Sequence, residues 1–138
     1  MKIPVGYELL NETPTIETYL NLRAVCGLSA FSEGAADIGL KGSHYAVVLK
    51  HDERTVGMGR IVGDGGCFFQ IVDICVLPEH QKMGLGKVIM GALVAHLEHH
   101  APARAYVSLL ADVPADKLYE QFGFQPTGPK SIGMARRF

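Results

Sequence analysis

Lys82, Gly84, Gly86 and Lys87 fall within one short stretch that directly follows an apolar run ending in Val76-Leu77-Pro78. Glycines let a backbone come close to a ligand. Where they open a helix, its first N–H groups have no partner and the helix dipole favours an anion there. Two lysines add positive charge. Together these features suit a pyrophosphate. Two common nucleotide loops do not fit. A P-loop, G-x-x-x-x-G-K-S/T, would put Gln81 at its first glycine and Val88 at its magnesium-binding hydroxyl. A dinucleotide fingerprint, G-x-G-x-x-G, would put Ile89 at its third glycine. Gln81-Lys82-Met83-Gly84-Leu85-Gly86 does satisfy the pattern Q/R-x-x-G-x-G/A.

Other residues with chemical potential are scattered. Asp73 interrupts an apolar strand, as either a hydrogen-bonded edge residue or part of a cleft. His96, His99 and His100 are grouped near a predicted helix C-terminus, where cationic imidazoles are favourable. No carboxylate–histidine signature accompanies them, so no metal is expected. Cys26, Cys67 and Cys75 form no C-x-x-C pair, and their odd number closes no disulfide framework. Reduced thiols are expected, with Cys75 as a small buried hydrophobe.

The elements that must position these residues can be read from hydrophobic period. Thr15 to Leu28 has helical spacing, with Gly27 near its end. Ser32 to Leu40 forms a second short helix with Ser32 as its N-cap. The period then changes to that of strands: His44 to Lys50, Thr55 to Val62 and Cys67 to Val76, joined by turns at 51–54 and 63–66, make an antiparallel meander. Gly84 to His99 is a largely apolar helix. Ala105 to Ala111 is a buried strand, and strand, helix and strand in this order form a parallel β-α-β crossover. Pro114 to Phe122 is a short helix closed by Gly123. Two C-terminal strands are predicted, around Gln125 and from Ile132 to Arg136. The fold class is therefore α/β (α+β), a mixed, mostly antiparallel sheet with helices on both faces.

The 138 residues suit a single domain, 1–138, and a chain of this size buries roughly 68% of its unfolded surface. Thirteen basic residues against fourteen acidic ones argue against a nucleic-acid partner. No apolar run reaches the ~20 residues that span a bilayer, and the N-terminus has no signal-peptide character. A cytoplasmic location without membrane contact is expected.

With the strand Asp73-Ile74-Cys75-Val76-Leu77-Pro78, the glycine signature, the long helix after it and Lys117-Leu118-Tyr119-Glu120-Gln121-Phe122-Gly123-Phe124, the sequence resembles the GCN5-related N-acetyltransferases (GNAT). Leu22-Arg23-Ala24-Val25 and the strand Ala105 to Leu110 extend the resemblance over almost the whole chain. It implies acetyl-CoA as co-substrate. Backbone groups of Ile74, Cys75 and Val76 would hold the pantetheine arm, on a strand splayed from its neighbour. The signature from Gln81 through Lys82, Met83, Gly84, Leu85 and Gly86 to Lys87 would hold the pyrophosphate. Tyr119 falls on the family's tyrosine near the thioester sulfur, placed to protonate the departing thiolate. Gln70 stands where histone-acetylating members carry a glutamate base, which leaves Asp73, acting through water, as a candidate base. The implied acceptor is a primary amine of a small molecule or peptide. Its contacts are expected from Ala30 to Lys41, including Phe31, Glu33 and Asp37, and from the last ten residues. The alternative is a non-catalytic acyl-CoA-binding sensor module. Family habit and a positive mean hydropathy imply a homodimer.

Overall fold

The computed structural model describes residues 2–138. Its chain order is β1 (Tyr7–Leu10), α1 (Ile16–Val25), α2 (Glu33–Lys41), β2 (Tyr45–His51), β3 (Arg54–Gly63), β4 (Phe68–Val76), a 3-10 turn (Pro78–His80), α3 (Leu85–His100), β5 (Tyr106–Ser108) and α4 (Asp116–Glu120). The five strands lie in sequence order across one sheet. The first four pair antiparallel, and β5 joins β4 in parallel. The predicted meander and crossover are both present.

Local chemistry explains where the helices start. Thr15 and Ser32 are N-caps whose hydroxyls accept from the N–H groups of Thr18 and Ala35. The β2–β3 turn places Asp52 and Glu53 in left-handed conformation, the twist that a tight hairpin requires. Val47, Val48 and Leu49 are consecutive and all buried, so β2 is covered on both faces.

The two faces are covered differently. Helix α3 packs closely on β3 and presents Leu85, Val88, Ile89, Met90, Leu93 and Leu97 to the core. The close approach depends on Gly59, where a Cβ would lie 2.6 Å from Ile89 Cγ2 and 3.1 Å from Leu93 Cδ1. The α1–α2 pair covers the other face, with Tyr19, Leu22, Ala36 and Leu40 buried.

Three sequence expectations are corrected. The segment after α4 forms neither predicted strand. Pro126 and Pro129 cannot donate to a ladder, and Gly128 and Gly133 weaken strand order between them. The last crossover strand is three residues long rather than seven, because it pairs only with β4 and gains no second neighbour from the C-terminal segment. β1 is an additional strand, too short for its alternation to stand out, and it pairs through Tyr7–His51 to Leu10–Val48.

Candidate active site

Strand β4 meets β5 only from Phe68–Tyr106 to Gln70–Ser108. Beyond Gln70 the two strands part, and Ile71 to Val76 have no partner on that side. A bulge in β4 accompanies the parting. The β3 register steps from Met58–Cys75 to Arg60–Val72, so Asp73 and Ile74 together face Gly59. Asp73 takes a left-handed φ of 64° there. Such a bulge bends a strand and re-aims its side chains.

The mouth of this V leads to the start of α3. Gly84 is the N-cap, at φ 79°, and it offers no side chain to the first turn. The first helical bond runs from Val88 N–H to Gly84 C=O at 3.2 Å, so the N–H groups of Leu85, Gly86 and Lys87 precede the ladder and are available to an anion. Lys82 is also left-handed, at φ 66°. Gln81 Nε2 donates to Val76 C=O at 2.9 Å, which ties the loop back to the end of β4. Its side chain is therefore a brace for the loop.

A cleft of about 510 Å³ runs along this surface, lined by Ile74, Cys75, Val76, Gln81, Lys82, Gly84, Leu85, Gly86 and Lys87, with Tyr119 and Leu118 of α4 opposite. Nearly every residue predicted to hold the cofactor is thus on one wall. Met83 is the exception: it lies outside the lining, and its sulfur accepts from Tyr7 Oη at 3.4 Å. Sequence reasoning missed His80, which lines the cleft while its Nδ1 is 2.6 Å from Tyr7 Oη. The signal for that pair was absent because Tyr7 belongs to the unrecognised first strand.

Tyr119 stands at a junction. It lines the cleft along β4 and α3, a smaller pocket of about 170 Å³ beside Asp73, and a larger cleft behind β5. Burial, then the charge of Asp112, push its hydroxyl above the usual phenol range. It therefore stays protonated at neutral pH, a hydroxyl able to donate rather than a base.

Asp73 is placed differently from a free base. One carboxylate oxygen accepts from Arg23 Nη1; the other accepts from Arg60 Nε and Tyr19 Oη, each at 2.8 Å. Its side chain is 4% exposed. The arginines are anchored in turn, Arg23 on Ser29 and Arg60 on Gly39 C=O and Ser43. Both oxygens are occupied by structural donors.

Cys75 is buried, and its thiol is pushed well above the ordinary range by its hydrogen bond with Cys26 and by burial. It packs as an apolar wall. The acceptor contacts expected from Ala30 to Lys41 and from the last ten residues are not in the lining of the pocket beside Tyr119. Phe31 lies against the Arg23 guanidinium, 4.4 Å from ring centroid to Cζ, and Asp37 pairs with Lys41 at 3.1 Å.

Comparison with known proteins places the chain in a family. The family model for the acetyltransferase (GNAT) domain matches residues 27–134. A crystal structure of SA2161 from methicillin-resistant Staphylococcus aureus, described as a protein of unknown function and probable acetyltransferase, superposes with a TM-score of 0.91 at 42% identity, covering 96% of this chain and 99% of that one. The uncharacterised N-acetyltransferase ycf52 of Porphyra purpurea is 33% identical over 101 residues, 69% of this chain and 57% of its own length. The chloroplastic GCN5-related N-acetyltransferase 2 of Arabidopsis thaliana is 32% identical over 85 residues, 60% of this chain and 32% of its own length. The chain thus spans little more than half of the first curated relative and about a third of the second. The glycine-opened helix, the parted strands and a match that runs from the end of the first helix into the C-terminal segment have one common origin: the chain belongs to the GNAT family of acetyltransferases.

Proposed function

We propose that the chain is an acetyl-CoA-dependent N-acetyltransferase acting on a primary amine by direct attack on the thioester. The observation that carries this reading is the continuous cleft from the α3 N-terminus, along the unpaired edge of β4, to Tyr119. The pyrophosphate would rest on the N–H groups of Leu85 to Lys87, with Lys82 and Lys87 beside it. The pantetheine arm would lie along Ile74, Cys75 and Val76 and complete the missing strand pairing.

The acetyl thioester would then reach Tyr119, with the amine entering from the adjacent pocket. Holding amine and thioester together supplies much of the acceleration. A backbone N–H near Val76 would stabilise the tetrahedral oxyanion. As the C–S bond breaks, the Tyr119 hydroxyl gives its proton to the sulfur, whose conjugate thiol has a pKa near ~8.5. The amine must be neutral to attack, and water passes its proton to solvent.

The test follows free thiol from acetyl-CoA with a panel of primary amines. The wild-type protein is expected to turn over. Tyr119→Phe should retain acetyl-CoA affinity, because backbone groups hold the donor, and should lower kcat by about 10²–10⁴-fold. With chemistry rate-limiting, a thioester with a more acidic leaving thiol should narrow that deficit. Acetyl-CoA binding without turnover on any amine would leave a CoA-binding module in place of an enzyme. Wild-type kcat in folded Tyr119→Phe would remove the tyrosine from the reaction.

A further inference from the structure

We infer that Arg137, Ser29 and Arg23 form an anion subsite at the rim of the pocket beside Tyr119, and that the acceptor is a primary amine carrying a carboxylate at the far end of an apolar arm. The inference rests on the proposed acetyltransferase reading and names the substrate class of that site. The C-terminal segment does not line the pocket, yet it meets the pocket's walls at two points. Gly133 lies against Leu110, where a Cβ would be 3.0 Å from Leu110 Cδ2. Arg137 Nη2 donates to Ser29 Oγ at 2.5 Å, and Ser29 directly follows Leu28, which lines the pocket.

Two guanidiniums meet on Ser29. Its Oγ also accepts from Arg23 Nη2 at 3.1 Å, and its carbonyl accepts from Arg23 Nε at 2.9 Å. With both lone pairs of the hydroxyl facing N–H groups, its hydrogen is left to donate. Arg23 stands in the pocket wall at 8% exposure and donates to Ser29 and Asp73, which leaves one N–H on each terminal nitrogen without a partner among the described residues. Arg137 donates only to Ser29 and makes no ion pair among the described residues. A guanidinium fork beside a free hydroxyl hydrogen is a donor set suited to a carboxylate.

The charges agree in sign. Arg23 and Arg60 share the single carboxylate of Asp73, and their other hydrogen-bond partners are neutral. Arg137 joins the same connected set through Ser29. Asp112 is the remaining carboxylate of the pocket wall, so three guanidiniums stand against two carboxylates and a positive charge is left over. That excess attracts an anion. The rest of the wall is apolar, with Leu28, Ile71, Val72, Leu109 and Leu110, and an alkyl arm between amine and carboxylate would bury against it.

Straight-chain ω-amino acids of increasing length, each compared with the n-alkylamine of matching length, test this directly, with free thiol followed from acetyl-CoA and wild-type protein. At least one ω-amino acid is expected to be used with about tenfold higher kcat/KM than its neutral match, and the preference should shrink in high salt, as a charged contact at an open rim does. Arg137→Gln should raise the KM of that amino acid about fivefold or more, with kcat less affected. Arg137→Lys keeps the charge without the fork and should restore part of the affinity. Arg137 is exposed, so these variants should fold, and equal thermal midpoints would establish that. No preference for any ω-amino acid over its match, or an unchanged KM in Arg137→Gln, would overturn the subsite while leaving the acetyltransferase intact. Absence of thiol release with every amine would overturn the acetyltransferase reading and this inference with it.

Discussion

A carboxylate that accepts from two guanidiniums and a phenol, at 4% exposure, holds its surroundings together whatever else it does. Asp73 ties α1, through Arg23 and Tyr19, to β3, through Arg60, across the face opposite α3. Arg23 and Arg60 are 8% and 7% exposed, so removing their shared partner would leave two buried cations uncompensated. Breaking a buried pair in this way costs about 3–5 kcal/mol. Asp73→Ala should therefore lower the urea midpoint by a large fraction of total stability, with an unchanged denaturant slope, and Asp73→Asn should do much the same. A variant with wild-type stability and lost turnover would instead return Asp73 to the candidate bases. In sequence, Asp73 read as an anomaly in an apolar strand, which is correct as far as it goes. Its partners could not be read, because Tyr19 and Arg23 are 54 and 50 positions away and nothing in local spacing joins them. The glycine-opened start of α3 was legible for the opposite reason: it is built from consecutive residues, whose placement local sequence controls.

Helix α3 works at both ends. Its N-terminus faces the cleft along β4, and its C-terminus carries the histidines. His99 and His100 place Nδ1 2.8 and 2.9 Å from the carbonyls of Ala95 and His96, which suits caps at a helix end. His96 is different. Its ring stacks between Tyr45 of β2, at 3.8 Å between centroids, and His100, at 4.2 Å, with His44 edge-on at 5.4 Å. Its Nε2 is buried and has no hydrogen-bond partner among the described residues. Burial, then the charges of His100 and His44, hold its pKa below the usual value. Unfolded, the imidazole titrates near ~6.5. Between the folded and unfolded values the unfolded chain binds more protons, so stability rises with pH across that window. The stabilisation is complete above about 6.5 and is lost as pH falls toward the lower folded value. His96→Phe retains the stack and removes the titration. Its urea midpoint should vary less than the wild type's between about pH 5 and pH 7, where His96 alone distinguishes the two proteins. Parallel pH profiles would show that His96 is not the source. Sequence placed the three histidines at one helix end but treated them alike; only the strand packed against the helix separates them.

At the scale of the molecule, the sheet ends in an exposed edge. The meander, the crossover and both faces of helices were legible because long periodic runs specify them. The far edge was not, because β5 has three residues and the segment after α4 has prolines and glycines where a ladder would need donors. Outside β5 lies a cleft of about 720 Å³, walled by residues of β5, by Leu109 and Leu110, and by Phe122 to Thr127. Tyr106 (53%), Leu110 (65%), Ile132 (74%) and Met134 (88%) are large apolar side chains exposed along this side. An open strand edge flanked by apolar surface invites pairing, and a stable protein covers it. We propose that a second copy does so, giving the homodimer that the sequence suggested, with β5 and the C-terminal segment at its centre. Sedimentation at micromolar concentration should return twice the chain mass. Leu110→Asp puts a charge on the exposed patch without entering the core, and should shift the protein toward monomer while the fold, read by circular dichroism, is retained. A wild type that stays monomeric throughout the micromolar range would remove the dimer. A Leu110→Asp variant as dimeric as the wild type would move the interface to another face and leave the β5 edge to be covered by the chain's own C-terminal segment.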